Sequence, residues 1–471
     1  MLLKDCRGLT AGTADTDALS EYEAAIDLAL GYWLDPIARL DRAVAHDPGF
    51  VMAHVAKAGL LALVMDPSLH PQVRQSLAGA EAHAASACAR GRAHIAALRR
   101  WMAGDFADAN HRWGRIAIDW PRDALAMLLA HTSDFMLGRT TLLRDRPAAA
   151  LPYWGEDVPG IGYLLGMYAF GLEENGAYGE ALDIGQRALR LNARDPWAVH
   201  AVAHVYEMQA RLADGIRFLV SRADDWAPDN AFAFHNWWHL GLYYVDIGDT
   251  ERALQLYDTR IRPKDSGVAL EMVDASAMLW RLTLLGIDVG QRWKPLADSW
   301  APRLEDGLYA FNDCHAQMAL VGAGRMAEAE RVVAELEKAA RGSGTNARMA
   351  GDVGLPLAKG LLAFGRAHYA GAIAAIMPIR HIAIRFGGSH AQRDLLSMTL
   401  IEAALRGDKK PLARALAAER LANKPQSPLA LQFTARQRRG AGDFAGAAAA
   451  QRAAENLAAS VKRQAAGAAA A

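Results

Sequence analysis

A helix, an Asp-Pro break and a second helix recur along this chain, and that recurrence constrains its fold more than any other feature. One unit, Tyr178 to Gln209, reads YGEALDIGQRALRLNARDPWAVHAVAHVYEMQ. The next, Ile216 to Asp249, reads IRFLVSRADDWAPDNAFAFHNWWHLGLYYVDIGD. In each, an amphipathic helix ends before Asp195–Pro196 or Pro228–Asp229 and a new one begins. Proline at a helix start removes no bond, because the first amides lack intrahelical partners anyway. Pro36 to Leu61 follows the same grammar, Gly104 to Gly138 holds a further pair, and Gly324 to Lys338 reads as the second helix of a later one. A final pair spans about Arg393 to Leu421. The spacing, roughly 33 to 38 residues, is the period of tetratricopeptide-type helix pairs. β-Branched alternation is nearly absent, and apolar residues recur at helical spacing. The expected fold is all-α, an α-solenoid of tetratricopeptide-type helical hairpins, superhelical with a concave groove. It is expected to run continuously over 1–440, with an Ala-rich C-terminal helix or frayed tail over 441–471. The stretch Gly342 to Gly354, rich in Gly, Ser and Asn, reads as a loop.

At 471 residues the chain is too long for one compact core, which suits an elongated array. Lys+Arg and Asp+Glu each number 52, so no basic surplus points to a nucleic-acid partner. The opening MLLKDCRGLTAGTADTD has acids and turn formers where a secretory signal needs an apolar core. No run of about 18 uncharged apolar residues marks a membrane helix. Cys6, Cys88 and Cys314 are too few and too scattered for a disulfide framework or a thiolate zinc site. A reducing, cytoplasmic setting with no membrane partner is expected. Neutral charge and an Ala-rich surface leave a homo-oligomer open.

The chemistry concentrates in two histidine pairs, His200 and His204 in HAVAH and His235 and His239 in HNWWH. Residues four apart share a helix face, so each pair presents two imidazoles in one direction. In arrays of this kind the first helix of each pair lines the groove, which would bring the four imidazoles to one wall. Imidazole is the commonest metal ligand and the commonest acid/base group near neutral pH. His200, His204, His235 and His239 could hold a divalent transition metal. Glu207, one turn beyond His204, would then supply a carboxylate or orient an imidazole. Metal-free proton transfer and hydrogen bonding between stacked helices are the competing readings. His239 stands nine residues before Gly248 and His315 nine before Gly324, so they occupy one register in different repeats. Asp313, in FNDCHAQMA, would orient a histidine or hold a turn. Cys314 points about 100° away from its neighbour His315, which argues against a thiolate–imidazole pair. Trp237 and Trp238 cannot both face a groove. Asn236, Trp238, Gln392, Arg393 and Asp394 are the candidate substrate contacts, Arg393 offering a planar fork for an oxyanion. In GGSHAQRD, Ser389 could cap a helix. Glu173 and Glu174 read as surface or turn residues. No HExxH, phosphate loop, Rossmann glycine pattern, nucleophile elbow or EF-hand occurs.

The ordered strings KDCRG, DPGFVMAH, AVHAVAHVYEM, HNWWH, LYDTRI, VGQRW, FNDCHAQMA, DVGLPL and GGSHAQRD cover nearly the whole chain. In these the chain resembles the tetratricopeptide repeat protein 38 family. The resemblance matches His200, His204, His235, His239 and His315, with Asn236, Asp313, Gln392, Arg393 and Asp394. It departs at His390, where the family pattern also takes Asn, which makes His390 a poor candidate for an essential base. What it implies is a helical-repeat fold whose groove keeps ordered polar strings; it supplies no reaction. Two functions compete, with a small-molecule sensor without turnover as a third reading. One is an enzyme acting on a small polar molecule in the groove, with His200, His204, His235, His239, Asp313 and His315 doing acid/base or metal-assisted work. The other is a scaffold that binds a peptide or partner without catalysis.

Overall fold

The structure, a computed structural model, describes residues 2–467. It is all-α, built of tetratricopeptide-type antiparallel hairpins, with two isolated β-bridges, Lys4–Thr10 and Trp33–Asn230, as the extended pairings among the described residues. No helix in that range is long and apolar enough to cross a membrane.

One turn geometry joins the two helices of hairpin after hairpin. The helix stops, a residue with positive φ follows two positions later, and the next helix starts two residues on. Gly104, Gly138, Gly176, Gly248 and Gly324 hold that position at φ between 64° and 78°. A left-handed residue just past a helix end satisfies its last carbonyls, and glycine does so without a Cβ penalty. Ala210, Ala367 and Asp408 take the same conformation at the matching place in their own hairpins. Gly248 and Gly324 are therefore equivalent turn residues, and the shared register of His239 and His315 holds.

Packing divides the chain into two compact units. The first comprises Met1–Val202 and Asp225–Ala233, the second Ala203–Asp224 and Phe234–Ala471. The first is a series of hairpins, from Thr16–Leu30 with Pro36–His46 to Ile161–Glu174 with Tyr178–Leu191. Asp15, Asp35, Asp105 and Asp123 cap its helices with their side chains. Glu173 and Glu174 are buried here rather than exposed. Their helix is covered on nearly every face, and a Cβ on Gly171 would meet the Leu143 carbonyl carbon at 2.4 Å.

In the second unit Ala269–Leu284 packs against Ala310–Gly322 and His390–Arg406. The last hairpin, Pro428–Gly440 with Phe444–Gly467, lays its second helix on Leu212–Ser221, so the end of the unit meets its beginning. Ser427 fastens this return. It caps Pro428–Gly440, and its hydroxyl donates to Asp246 at 2.7 Å. The Ala-rich tail is thus a helix over Phe444–Gly467. The expected loop over Gly342 to Gly354 is helical from Thr345 onward, with an α-turn at Thr345–Met349 and a π-turn at Ala350–Gly354. Its polar residues have structural posts. Asn346 accepts from the Ala310 amide at 2.8 Å and donates to the Gly307 carbonyl at 2.7 Å. A Cβ on Gly354 would sit 2.8 Å from that of Ala310, so this glycine serves close helix approach.

Candidate metal and proton-transfer centre

The HNWWH helix, Ala233–Asp246, projects His235 and His239 into the second unit, where His204 reaches them from Pro196–Met208. The ring centroids lie 4.4 Å apart for His204 and His239, and 4.9 Å for His235 and His239. One nitrogen from each of the three rings lies within 4.8 Å of the others. Each imidazole of the HNWWH pair donates its Nδ1 proton to a carboxylate from a neighbouring helix. His235 bonds Asp274 at 2.6 Å, and His239 bonds Glu207 at 3.0 Å. A carboxylate at Nδ1 fixes the ring's orientation and makes Nε2 the coordinating or proton-accepting atom.

Electrostatics disfavours charge on His239. Burial drives the His239 pKa well below the usual imidazole value, helped by His204, His235, Arg281 and Lys424. Burial raises the Asp274 carboxyl, opposed by His235 and Arg281. Glu207 also faces Lys424 at 3.6 Å, and Arg420 holds Asp394 with two bonds of 2.7 and 3.0 Å. Burial leads and the Arg420 contact wins at Asp394, holding that carboxyl well below its ordinary range.

His315, from Ala310–Gly322, donates Nδ1 to the Phe311 carbonyl at 2.8 Å. Nε2 is therefore a lone-pair acceptor, buried and without a hydrogen-bond partner among the described residues. Burial, with Arg281 adding to it, lowers its pKa to about 4. Trp238 is buried, stacked on His235 at 5.3 Å with 13° between planes, while the Arg281 guanidinium lies 5.2 Å from its ring centre. Trp237 is half-buried under Arg260, so the two tryptophans do divide between inside and outside.

His200, one turn before His204, has the rings of Phe170, Trp197 and Phe232 at 5.1, 4.9 and 5.2 Å. The remaining candidates have structural partners of their own. Asp313 has acids, Asp306 and Glu335, as its charged neighbours. With burial, these raise it to about 7, and the carboxylates that orient the histidines are Asp274 and Glu207 instead. Gln392, expected at a ligand, closes a capping box with Ser389: its side-chain oxygen accepts from the Ser389 amide at 3.0 Å. Arg393 folds back to the Gly388 carbonyl and to His390. Asp394 is committed to Arg420, and Asn236 is buried on the HNWWH helix. The buried Cys314 thiol, its pKa raised by burial, donates to the Gly354 carbonyl at 3.4 Å. Asp274, Arg281, Arg420 and Lys424 escaped the sequence reading. Asp274 and Arg281 carried a signal: two charges seven residues apart, on one face of the apolar run EMVDASAMLWRLTLL.

A cleft of about 640 Å³ lies in the first unit, lined by Trp33, Leu34, Tyr163, Arg194 and several acids, and none of the histidines borders it.

No family model matches the chain. Among solved structures, the human IFIT1 dimer with PPP-AAAA is 13% identical over 95% of this chain and 96% of that one, with a TM-score of 0.36. The IFIT1 dimer with m7Gppp-AAAA gives 13% identity, the same coverage and a TM-score of 0.35. The TPR domain of P58(IPK) is 13% identical over 80% of this chain and 99% of that one, with a TM-score of 0.22. Scores this low transfer neither a groove nor a ligand to this chain.

Proposed function

We propose that the second unit is a catalytic centre in which His204, His235 and His239 hold a divalent transition metal for chemistry on a small polar substrate. One observation carries the reading: two imidazoles, each fixed at Nδ1 by a buried carboxylate, share their donor zone with a third. The donor set fits such a metal, since neutral nitrogen ligands backed by carboxylates are what zinc-like ions take. The bound ion would polarise a substrate oxygen or lower the pKa of its water to about 7. This chain's residues orient the rings, exclude bulk water, and, at His315 Nε2, accept a proton. Glu207 then serves as an orienting group rather than a ligand. The resemblance to the tetratricopeptide repeat protein 38 family in ordered polar strings supports a site of defined chemistry, and unpaired cysteines suit a reducing, cytoplasmic compartment.

Metal per chain, measured by elemental analysis of untagged protein, tests the reading. About one equivalent is expected in the native chain and almost none in a folded His235→Ala/His239→Ala variant. Native protein that stays empty after reconstitution sinks it. A second reading, a partner-binding scaffold, is favoured by the first-unit cleft, where Leu34 is 62% exposed beside Trp33. A groove-bound partner there is compatible with the metal centre.

A further inference from the structure

Arg281 is buried, at 2% exposure, in the heart of the second unit. Its guanidinium donates to the Ala277 and Ala391 carbonyls and lies over the Trp238 ring. No carboxylate forms an ion pair with it among the described residues. The acids that act on it through space, Asp394, Glu207 and Asp274, each contact another cation or an imidazole directly: Arg420, His239 with Lys424, and His235. Burial accordingly leads the forces on Arg281 and lowers its pKa from the usual arginine value. A buried charge is ordinarily paired by contact, because its desolvation costs several kcal/mol. Two carbonyls and a ring face meet part of that need and leave the planar fork without the bidentate oxyanion it suits best.

The surroundings match such a guest. Arg281 acts electrostatically on both His239 and His315, so it belongs to the imidazole centre rather than to a separate core. Two further buried acceptors, His315 Nε2 and Asp274 Oδ1, lack a hydrogen-bond partner among the described residues. Trp238 Nε1 is a buried donor in the same condition. These groups suit a small molecule carrying an oxyanion at one end and hydroxyl or amine protons near it.

We propose that Arg281 anchors the carboxylate or phosphate group of the substrate, placing the rest of the molecule against the imidazoles. This rests on the reading of the second unit as a catalytic centre and names its substrate class as anionic. Arg281 is thereby a binding residue, not a metal ligand.

The test is calorimetric titration of the full chain with inorganic phosphate and, separately, with acetate, in chloride buffer of matched ionic strength. Metal content is measured on the same samples. Saturable binding of either anion is expected, weakened roughly 10- to 100-fold in Arg281→Gln, as loss of a charge-assisted bond requires. The tighter of the two anions distinguishes a phosphate from a carboxylate substrate. Arg281→Lys, which keeps the buried charge, serves if Arg281→Gln fails to fold, and about tenfold weaker binding is expected. No saturable binding to the native chain, or equal affinity in the folded variant, overturns the proposal. Metal present without anion binding overturns this inference alone. Arg281-dependent anion binding in a chain that takes up no metal overturns only the metal reading.

Discussion

At the scale of single residues, burial decides what each ionisable group can do. Asp195 shows the effect outside the proposed metal centre. One carboxylate oxygen caps Pro196–Met208, accepting from the Trp197 and Ala198 amides at 3.0 Å each, while the other has no hydrogen-bond partner among the described residues. Burial raises its pKa to about 7, against the opposing pull of those amides. The folded state thus holds a proton that the unfolded chain releases near pH 4. The associated stability is full at acid pH and is lost as pH rises through the folded value. Asp195→Asn keeps the cap and removes the titration. Between about pH 5 and pH 8 the native chain should lose roughly 2 to 3 kcal/mol relative to this variant in urea unfolding. Parallel pH profiles would mean the carboxyl titrates normally. The histidine pairs were legible from their four-residue spacing because that spacing is local. Asp274 and Glu207 were not assigned to particular rings, because sequence spacing does not say which helices will be neighbours.

At the scale of the element, the hairpin turn explains why the array could be read without a structure. Helix periodicity, Asp caps and glycine past the first helix all act within a few residues, so each leaves its trace in the local sequence. Where the reading failed, the residues served a distant contact. Gly354 looked like a loop glycine because its reason for being small, the approach of Ala310, lies in another helix. Glu173 and Glu174 looked exposed because nothing nearby announces a packed neighbour. The turn account makes a clean prediction at Gly286, where φ is 78° and an added Cβ would meet nothing within 4 Å. Gly286→Ala should cost about 1 kcal/mol from backbone strain alone, read by chemical denaturation. An unchanged or raised midpoint would mean that the turn tolerates a right-handed residue.

At the scale of the whole molecule, the proposed centre depends on how the second unit returns on itself. Lys424 reaches Glu207, and Ser427 reaches Asp246, across most of the unit's sequence. Asp246 closes the C-terminal end of the HNWWH helix, where a carboxylate opposes the helix dipole. Its bonds to Ser427 and to the Leu429 amide account for its presence. Ser427→Ala removes both a helix cap and a donor to a buried carboxylate, so a loss of about 2 kcal/mol is expected. Hydrogen exchange should quicken in the HNWWH helix as well as in Pro428–Gly440. Quickening confined to the first turn of Pro428–Gly440 would show that the return contributes nothing to the centre.

The central claim is that imidazoles from two helices meet on one ion, and X-ray absorption at the edge of the bound metal tests it most directly. The account predicts about three nitrogen scatterers at roughly 2.0–2.1 Å, with the outer-shell multiple scattering that imidazole rings produce. An oxygen-only shell without ring scattering, unchanged in His235→Ala/His239→Ala, would place the metal elsewhere and contradict it.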